Sequence, residues 1–139
     1  MITDVQTPVT GCSADNIFAS QKNVQLYPAS KERFSVEWAT KPPQQEKGLS
    51  YRPCFPENGA LLFSFPTDDR FGIWMKDMQF PIDVVWLDKD KRVVSVEKNM
   101  QPSSYPKVYY PATDVRYVIE FNVGMMNKLG AQTGETFSW

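Results

Sequence analysis

The stretch IWMKDMQFPIDVVWLD, residues 73–88, predicts the middle of the fold and raises the question of what its charges do. Its last part, DVVWLD at residues 83–88, has four consecutive apolar positions without alternation. A strand that is apolar on both faces lies between two layers, so we expect it at the centre of a sheet. Lys76, Asp77 and Asp83 stand among aromatic and aliphatic neighbours, where a charge must find a partner or lose its ionisation. These charges are therefore the first candidates for a site.

The region before this stretch predicts a β-hairpin and a short helix. NVQLYP and RFSVEWAT each alternate apolar with polar residues, and ASKE between them can turn the chain, which predicts a hairpin over residues 23–40. TKPPQQEKG then offers a cap at Thr40, prolines at the first helical positions and Gly48 at the end, the pattern of a two-turn helix. Residues 1–22 have few periodic apolar positions, which indicates an N-terminal arm preceding a single domain over residues 23–139.

Further strands and a second helix are predicted towards the C-terminus. A short strand at residues 60–65 is expected to end at Pro66, and another is expected at residues 71–76. The segment VRYVIEFN, residues 115–122, alternates cleanly and predicts a strand with one polar face. The segment VGMMNKL that follows predicts a short helix, which Gly130 can end in a left-handed conformation.

Residues 100–114, MQPSSYPKVYYPATD, contain three prolines and three tyrosines without a helical or strand period. We expect a long loop, and loops of this length inside a compact domain often have a function. Tyr105, Tyr109 and Tyr110 are the aromatic residues that this loop could offer to a ligand.

The composition argues against several classes of function. The chain of 139 residues has 15 basic and 16 acidic residues, so a nucleic-acid partner is not expected. It has no histidine, which removes serine triads and the common zinc sites, and we expect neither a metal nor a cofactor. No apolar run is long enough for a membrane span, and residues 1–11 lack the apolar core of a signal peptide.

The two cysteines, Cys12 and Cys54, allow three interpretations. VTGC at residues 9–12 resembles the lipobox of bacterial lipoproteins, in which the cysteine is lipidated. A disulfide would instead close a loop of about forty residues, for which chain entropy predicts about 4 kcal/mol of stabilisation. Two free buried thiols are the third possibility. Lipidation and a disulfide exclude each other, because a lipidated Cys12 has no thiol left to pair.

Several short motifs occur in one order along the chain: GLSYR at residues 48–52, WMKDMQFPID at 74–83, RYVIE at 116–120, then NVG and LG within residues 122–130. Together they resemble the DUF192 family, a prokaryotic domain of unknown function, over residues 33–139. The resemblance implies a mostly β (α+β) domain, a β-sandwich or squat barrel of antiparallel or mixed strands with one or two short helices. The chain departs from the family pattern at Asp77, where the family has asparagine, at Met78, where it has threonine, and at Phe55, where it has leucine.

Members of this family often have export signals or lipoprotein anchors. The resemblance therefore implies an extracytoplasmic location, whether periplasmic, secreted or lipid-anchored, with the export signal missing from this chain. A cytoplasmic location is the alternative. An extracytoplasmic setting in turn favours a disulfide between Cys12 and Cys54.

The charged residues on separate elements support two interpretations. In the structural one, Asp83 and Glu120 are partly buried acids held by Arg52 or Arg116, and their pairing sets the strand register. In the functional one, the charged residues line a ligand-binding cleft beside aromatic side chains. The residues of that predicted ligand-binding site are Arg52, Trp74, Lys76, Asp83, Arg116, Glu120, Tyr109 and Tyr110.

Three functions follow from these interpretations. The leading hypothesis is a non-catalytic domain that binds a small polar or carbohydrate-like ligand, a glycan, or an envelope protein. The second is a hydrolase that uses Asp83 with Glu120, or Asp77 with Glu120, as acid and base. The third is a purely structural interaction domain.

Overall fold

The structure is a computed structural model that describes Cys12, the backbone of residues 22–27, and residues 32–139. The predicted arm over residues 1–22 lies outside the described residues, apart from Cys12 and the first position of the first strand.

Most of the described chain forms one mixed, seven-stranded sheet. Numbered along the chain, its strands are β1 (Lys22–Tyr27), β2 (Arg33–Ala39), β3 (Gly59–Asp69), β5 (Ile82–Leu87), β6 (Val93–Met100), β8 (Val115–Asn122) and β9 (Thr136–Ser138). Their order in the sheet is β6-β5-β8-β3-β2-β1-β9. Neighbouring strands are antiparallel except β2 and β3, which are parallel. A separate antiparallel ribbon pairs β4 (Ile73–Trp74) with β7 (Val108–Tyr109).

Two short α-helices and one 3-10 turn accompany the sheet in the described part of the chain: α1 (Pro42–Lys47), α2 (Met125–Leu129) and Pro102–Ser104. Lys41, rather than the predicted Thr40, is the N-cap of α1, and Oε1 of Gln44 accepts from the backbone N–H groups of both residues. Gly48 and Gly130 end the two helices with φ of +51° and +66°, as the sequence predicts. No helix in the described ranges is long and apolar enough to cross a bilayer.

The prediction of a mostly β (α+β) domain with two short helices is confirmed, but the sheet does not close into a barrel. An isolated bridge joins Arg92 to Thr136, which brings β9 close to the start of β6 at the other edge. The predicted central strand, residues 83–88, is β5, and it is second from that edge because β8 lies between β5 and β3. All six residues of β5 are nevertheless buried, as expected for a strand between two layers.

Two other predicted boundaries were wrong. β3 does not end at Pro66 but continues to Asp69. Its register with β8 shifts between Ser64 and Asp69. Pro66 lies in this irregular part of the strand, where regular hydrogen bonds to β8 do not require a backbone N–H. The strand predicted at residues 71–76 is only β4, and its partner β7 belongs to the segment predicted as an irregular loop.

Both faces of the sheet are covered by apolar packing. One buried cluster includes Phe34, Val36, Leu62, Val85, Ile119, Phe121, Met126 and Phe137. The other, on the opposite face, includes Leu49, Phe55, Leu61, Phe63, Met75, Val84, Trp86 and Val118. The second cluster is covered partly by the chain between α1 and β3 and by the chain around β4. This covering layer positions the candidate site.

A disulfide joins Cys12 to Cys54, which are 42 positions apart in the sequence and have Cα atoms 6.1 Å apart. The predicted pairing is therefore present, and a Cys12 bonded in this way has no thiol for a lipid. We expect the double variant Cys12→Ser/Cys54→Ser to lose roughly 2–4 kcal/mol of stability, because the bridge restricts the unfolded chain. Urea unfolding of both proteins measures the difference. Reductant should destabilise the wild type and leave the double variant unchanged, whereas equal unfolding midpoints for the two proteins would contradict the expectation.

Candidate ligand-binding site

A row of paired residues places two glutamates on the same face of the sheet. Glu37 in β2 pairs with Leu61 in β3, and Leu61 pairs with Glu120 in β8, which in turn pairs with Val84. Residues directly opposite each other in a sheet point to the same side. Glu37 and Glu120 therefore flank Leu61 beneath the covering layer, and both are buried.

Arg52, from the covering layer, forms a two-pronged ion pair with Glu37. The Nη1 and Nη2 atoms donate to Oε2 and Oε1, each at 2.9 Å. The exposed fractions of the two side chains are 14% and 3%, so the pair is largely removed from water. Glu37 was not among the predicted site residues. Its signal was a glutamate at a polar position of the alternating segment RFSVEWA, on a strand face that the structure shows to be covered.

Glu120 is 5% exposed, and its carboxyl has no hydrogen bond or ion pair with any described residue. Burial raises the pKa of Glu120 to about 8, while the positive charge of Arg52 acts in the opposite direction. Glu120 is therefore mostly protonated at neutral pH. A protonated carboxyl donates one hydrogen bond, unlike a carboxylate, which only accepts.

A cavity of about 210 Å³, the inner chamber, has Glu120 in its wall. Gly48 keeps the space beside the carboxyl open. A Cβ at Gly48 would lie 3.9 Å from Oε1 of Glu120 and 3.6 Å from Cζ of Phe63. The remaining wall comes from α1, the following segment and the chain around β4: Gln45, Glu46, Lys47, Leu49, Ser50, Gly72, Ile73, Trp74, Lys76 and Met78.

A second cavity of about 310 Å³, the outer chamber, shares five lining residues with the inner one. We refer to the two chambers together as the Trp74 groove. Trp74 is 45% exposed, a large fraction for an indole. The Nζ atom of Lys76 lies 5.6 Å from the centroid of its ring, and the ring of Tyr105 lies 5.3 Å away. The shared residues are Glu46, Lys47, Ser50, Trp74 and Lys76, and Pro43, Tyr51 and Asp77 complete the outer chamber.

Two residues in the wall of the outer chamber have left-handed backbone conformations, Tyr51 with φ of +66° and Asp77 with φ of +58°. They support each other. The Tyr51 N–H donates to the Asp77 carbonyl at 2.9 Å, and its hydroxyl donates to Oδ2 of Asp77 at 2.7 Å. The hydrogen bond to this carboxylate raises the pKa of the Tyr51 hydroxyl. Such conformations persist only when neighbouring contacts hold them, so the shape of this wall is preorganised.

Asp83 does not belong to the groove. It precedes Val84, the residue that pairs with Glu120, so its side chain points to the opposite face of the sheet. There Oδ1 accepts the N–H of Asn99 and Oδ2 accepts the N–H of Met126, each at 2.9 Å. Asp83 thus ties the first turn of α2 to the end of β6, which is a structural role.

Three other predicted residues also lie outside the groove lining. Arg116 pairs with Asp68 on the surface at 2.6 Å. Tyr109 packs at the edge of the second apolar cluster. Tyr110 is exposed and its ring packs closely against Gly72. A Cβ added at Gly72 would lie 2.8 Å from the Cε1 atom of Tyr110. Tyr110 therefore supports the chamber wall from behind. Of the eight predicted ligand-binding residues, Trp74, Lys76 and Glu120 line the groove, and Arg52 acts on Glu120 electrostatically.

A larger cavity, of about 920 Å³, adjoins the disulfide and contains none of the predicted ligand-binding residues. Its half-buried Asn122 already donates to the carbonyls of Phe55 and Pro56, and its charged residues Glu57 and Lys128 are exposed. Size alone does not make a binding site. The Trp74 groove is the better candidate because a buried carboxyl without a partner faces it.

Curated proteins similar to this chain are UPF0127 proteins. One from Thermococcus gammatolerans is 37% identical over 84 residues, which cover 59% of this chain and 52% of that protein. One from Pyrococcus abyssi is 34% identical over 82 residues, covering 58% of this chain and 67% of that protein. The chain thus spans about half the length of the first relative and two thirds of the second.

Solved structures and a family model give broader coverage. A Sinorhizobium meliloti protein, described as a proposed transcription regulator, matches with a TM-score of 0.80 at 27% identity, covering 86% of this chain and 93% of that chain. A Novosphingobium aromaticivorans protein of unknown function also has a TM-score of 0.80, at 24% identity, with 86% and 85% coverage, and this likeness shows the fold alone. The DUF192 family model, described as "Uncharacterized ACR", matches residues 24–139. Because that match covers most of the chain, the protein belongs to the DUF192 family.

Proposed function

We propose that the domain binds a small polar, oxygen-rich ligand, such as a sugar or a sugar derivative, in the Trp74 groove. The observation that supports this most strongly is Glu120. Its side chain is 5% exposed, its carboxyl has no hydrogen-bond partner in the described part of the chain, and it lies in the wall of the inner chamber. An unpartnered carboxyl in the wall of an open chamber is explained if a ligand supplies the missing hydrogen bond.

The mouth of the groove also fits a polar ligand. Trp74 offers an exposed ring, and indoles combine a large apolar face with a polar N–H group. Lys76 adjoins that ring and is exposed. An aromatic surface beside a cation and a buried acid can hold a molecule that has both a ring and polar groups.

We also propose an extracytoplasmic location, which the disulfide supports because such bonds persist mainly in oxidising compartments. An envelope protein that presents a polar segment to the groove is the alternative partner. The description of the Sinorhizobium meliloti neighbour does not lead us to propose nucleic-acid binding here. The 15 basic residues are matched by 16 acidic ones, and the groove has acids as well as lysines in its wall.

A hydrolase is the second candidate, because a carboxyl that stays protonated at neutral pH is suited to act as a general acid. The pair of Asp83 and Glu120 cannot act on one substrate, since the two side chains lie on opposite faces of the sheet. Asp77 and Glu120 remain the candidate pair, and Asp77 lies in the outer chamber.

The binding proposal is tested by titrating a panel of sugars and sugar derivatives into the ¹⁵N-labelled protein and recording the indole N–H signals. We expect ligands that bind to shift the Trp74 signal, and Trp74→Ala and Lys76→Ala each to weaken binding at least about tenfold, a loss of about 1.4 kcal/mol. Lys89→Ala, in the exposed turn before β6, is the matched control and should bind as the wild type does. A panel that leaves the Trp74 signal unmoved contradicts the proposal. Turnover of a sugar substrate that Glu120→Gln abolishes in a folded protein establishes the hydrolase instead.

A further inference from the structure

Several polar side chains in the wall of the Trp74 groove already donate to groups within the protein. The Ser50 hydroxyl donates to the carbonyl of Lys76 at 3.1 Å. The side-chain amide of Gln45 donates to the carbonyls of Ala39 and Ser64, at 3.1 and 3.0 Å. The hydroxyl of Tyr51 is engaged with Asp77. These three groups cannot donate to a ligand without breaking existing bonds, although their oxygens can still accept.

The groups in the wall that remain free to donate to a ligand include two lysines and the buried acid. Lys47 and Lys76 have no carboxylate within ion-pair distance in the described part of the chain. An ammonium group donates hydrogen bonds and cannot accept them. Glu120 in its protonated form adds a donor at the buried end. The exposed carboxylate of Glu46 is an acceptor at the rim. A ligand that pairs with the two lysines and the protonated Glu120 must present acceptors. A carboxylate is a strong acceptor for such groups.

We propose that the ligand carries a carboxylate, which accepts a hydrogen bond from the protonated Glu120 side chain and pairs with the ammonium group of Lys76. This inference rests on the proposed function of the groove and narrows its ligand to acidic sugars and related small hydroxy acids. The contact between a carboxylic acid and a carboxylate is a charge-assisted hydrogen bond, which is shorter and stronger than one between neutral groups. The inner chamber, whose wall includes both Glu120 and Lys76, is the space in which the ligand carboxylate would lie.

The charges around Glu120 favour an anion only while Glu120 is neutral. The sheet strands β3 and β5 present apolar side chains to it, Leu61, Phe63 and Val84. The charged groups come from β2, α1, the segment after α1 and the chain around β4, and they are Glu37, Glu46, Lys47, Arg52 and Lys76. This set has one net positive charge while Glu120 is protonated and none once it ionises. Asp77 adds a negative charge in the outer chamber, where its carboxylate accepts from Tyr51.

Binding of the acidic ligand should therefore be linked to a proton. Ionisation of Glu120 removes the donor and places two carboxylates side by side. Since the pKa of Glu120 lies at about 8 in the unliganded protein, the affinity should fall about tenfold from about pH 7 to about pH 9. A neutral ligand that only stacks on Trp74 would show no such fall.

The test uses probe pairs that differ mainly in one carboxylate: glucose with glucuronate, and N-acetylglucosamine with N-acetylmuramate. Isothermal titration at about pH 7 should show that the acid of at least one pair binds at least about tenfold more tightly than its neutral partner, and that its affinity falls about tenfold at about pH 9. In Glu120→Gln the amide donates at both pH values, so binding should persist and the pH dependence should disappear. Glu57→Gln, an exposed glutamate outside the groove, is the matched control and should keep the wild-type pH dependence.

The outcomes separate the inference from the proposed function. If a neutral sugar shifts the Trp74 signal and binds as tightly as its acid, the acidic ligand class is wrong and the groove remains a binding site. If an acid binds with the same affinity at both pH values, or if Glu120→Gln keeps the wild-type pH dependence, the contact with Glu120 is wrong. If no probe of either kind binds to the folded protein at millimolar concentrations, both the inference and the proposed function are rejected.

Discussion

The free energy of unfolding should fall by about 1.4 kcal/mol for each pH unit between about pH 5 and pH 8, because Glu120 keeps its proton longer in the folded state. Folding raises the pKa of this carboxyl from 4.5 to about 8. Above the lower value the unfolded chain releases the proton while the folded protein retains it. The folded state then binds more protons, and stability decreases as the pH rises. The loss of unfolding free energy caused by Glu120 is absent below the lower pKa and constant above the higher one.

Urea unfolding at several pH values across this window measures the slope. Glu120→Gln has no proton to lose and should show a nearly flat profile there, so that at about pH 8 it is more stable than the wild type by roughly 4 kcal/mol at most. Glu57→Gln, which changes an exposed carboxylate, should reproduce the wild-type profile. Parallel profiles for the wild type and Glu120→Gln would mean that the Glu120 carboxyl is not protonated at neutral pH. Glu120 could then not donate a hydrogen bond to a ligand in the groove.

Arg52→Ala should destabilise the protein by roughly 3–5 kcal/mol, because it leaves the buried carboxylate of Glu37 without a partner. The two side chains form two hydrogen bonds of 2.9 Å in a place largely closed to water. An unpaired charge there has lost its hydration without compensation. Removing both charges, as in Arg52→Met/Glu37→Leu, should recover most of the loss, since Leu61 is paired with Glu37 and the ring of Phe55 lies 5.9 Å from Arg52.

Arg116→Ala is the matched control for this prediction. Arg116 also pairs with an acid, Asp68, but the two side chains are 29% and 40% exposed. Exposed pairs contribute about 0–1 kcal/mol, so this variant should stay close to the wild type in urea unfolding. Equal losses for Arg52→Ala and Arg116→Ala would show that the pair of Arg52 and Glu37 is not energetically distinct from a surface ion pair.

Local patterns were sufficient to predict several elements. The bounds of β8 match the expected segment, residues 115–122, and β5, residues 82–87, begins one position before the expected 83–88. Both strands could be predicted because the pattern of apolar residues that indicates them lies within one segment. Gly48 and Gly130 were expected to end the helices, and both do so with positive φ. The order of strands was not predictable in the same way. β5 was expected at the centre of the sheet, yet it lies second from an edge, since burial on both faces does not specify which strands are neighbours.

The residues of the candidate site show the same difference between what the sequence predicts and what the tertiary structure decides. The sequence by itself determined which residues have the chemistry of the groove, namely an indole at Trp74, a cation at Lys76 and an acid on a strand at Glu120. Only the tertiary structure decided that the indole is exposed and that the cation lies beside its ring. It also decided that Glu37 is the partner of Arg52, and that Asp83 and Glu120 face opposite sides. The physical reason is register. A shift of one residue between paired strands reverses the face of every side chain, and register is set by contacts between segments distant in the sequence.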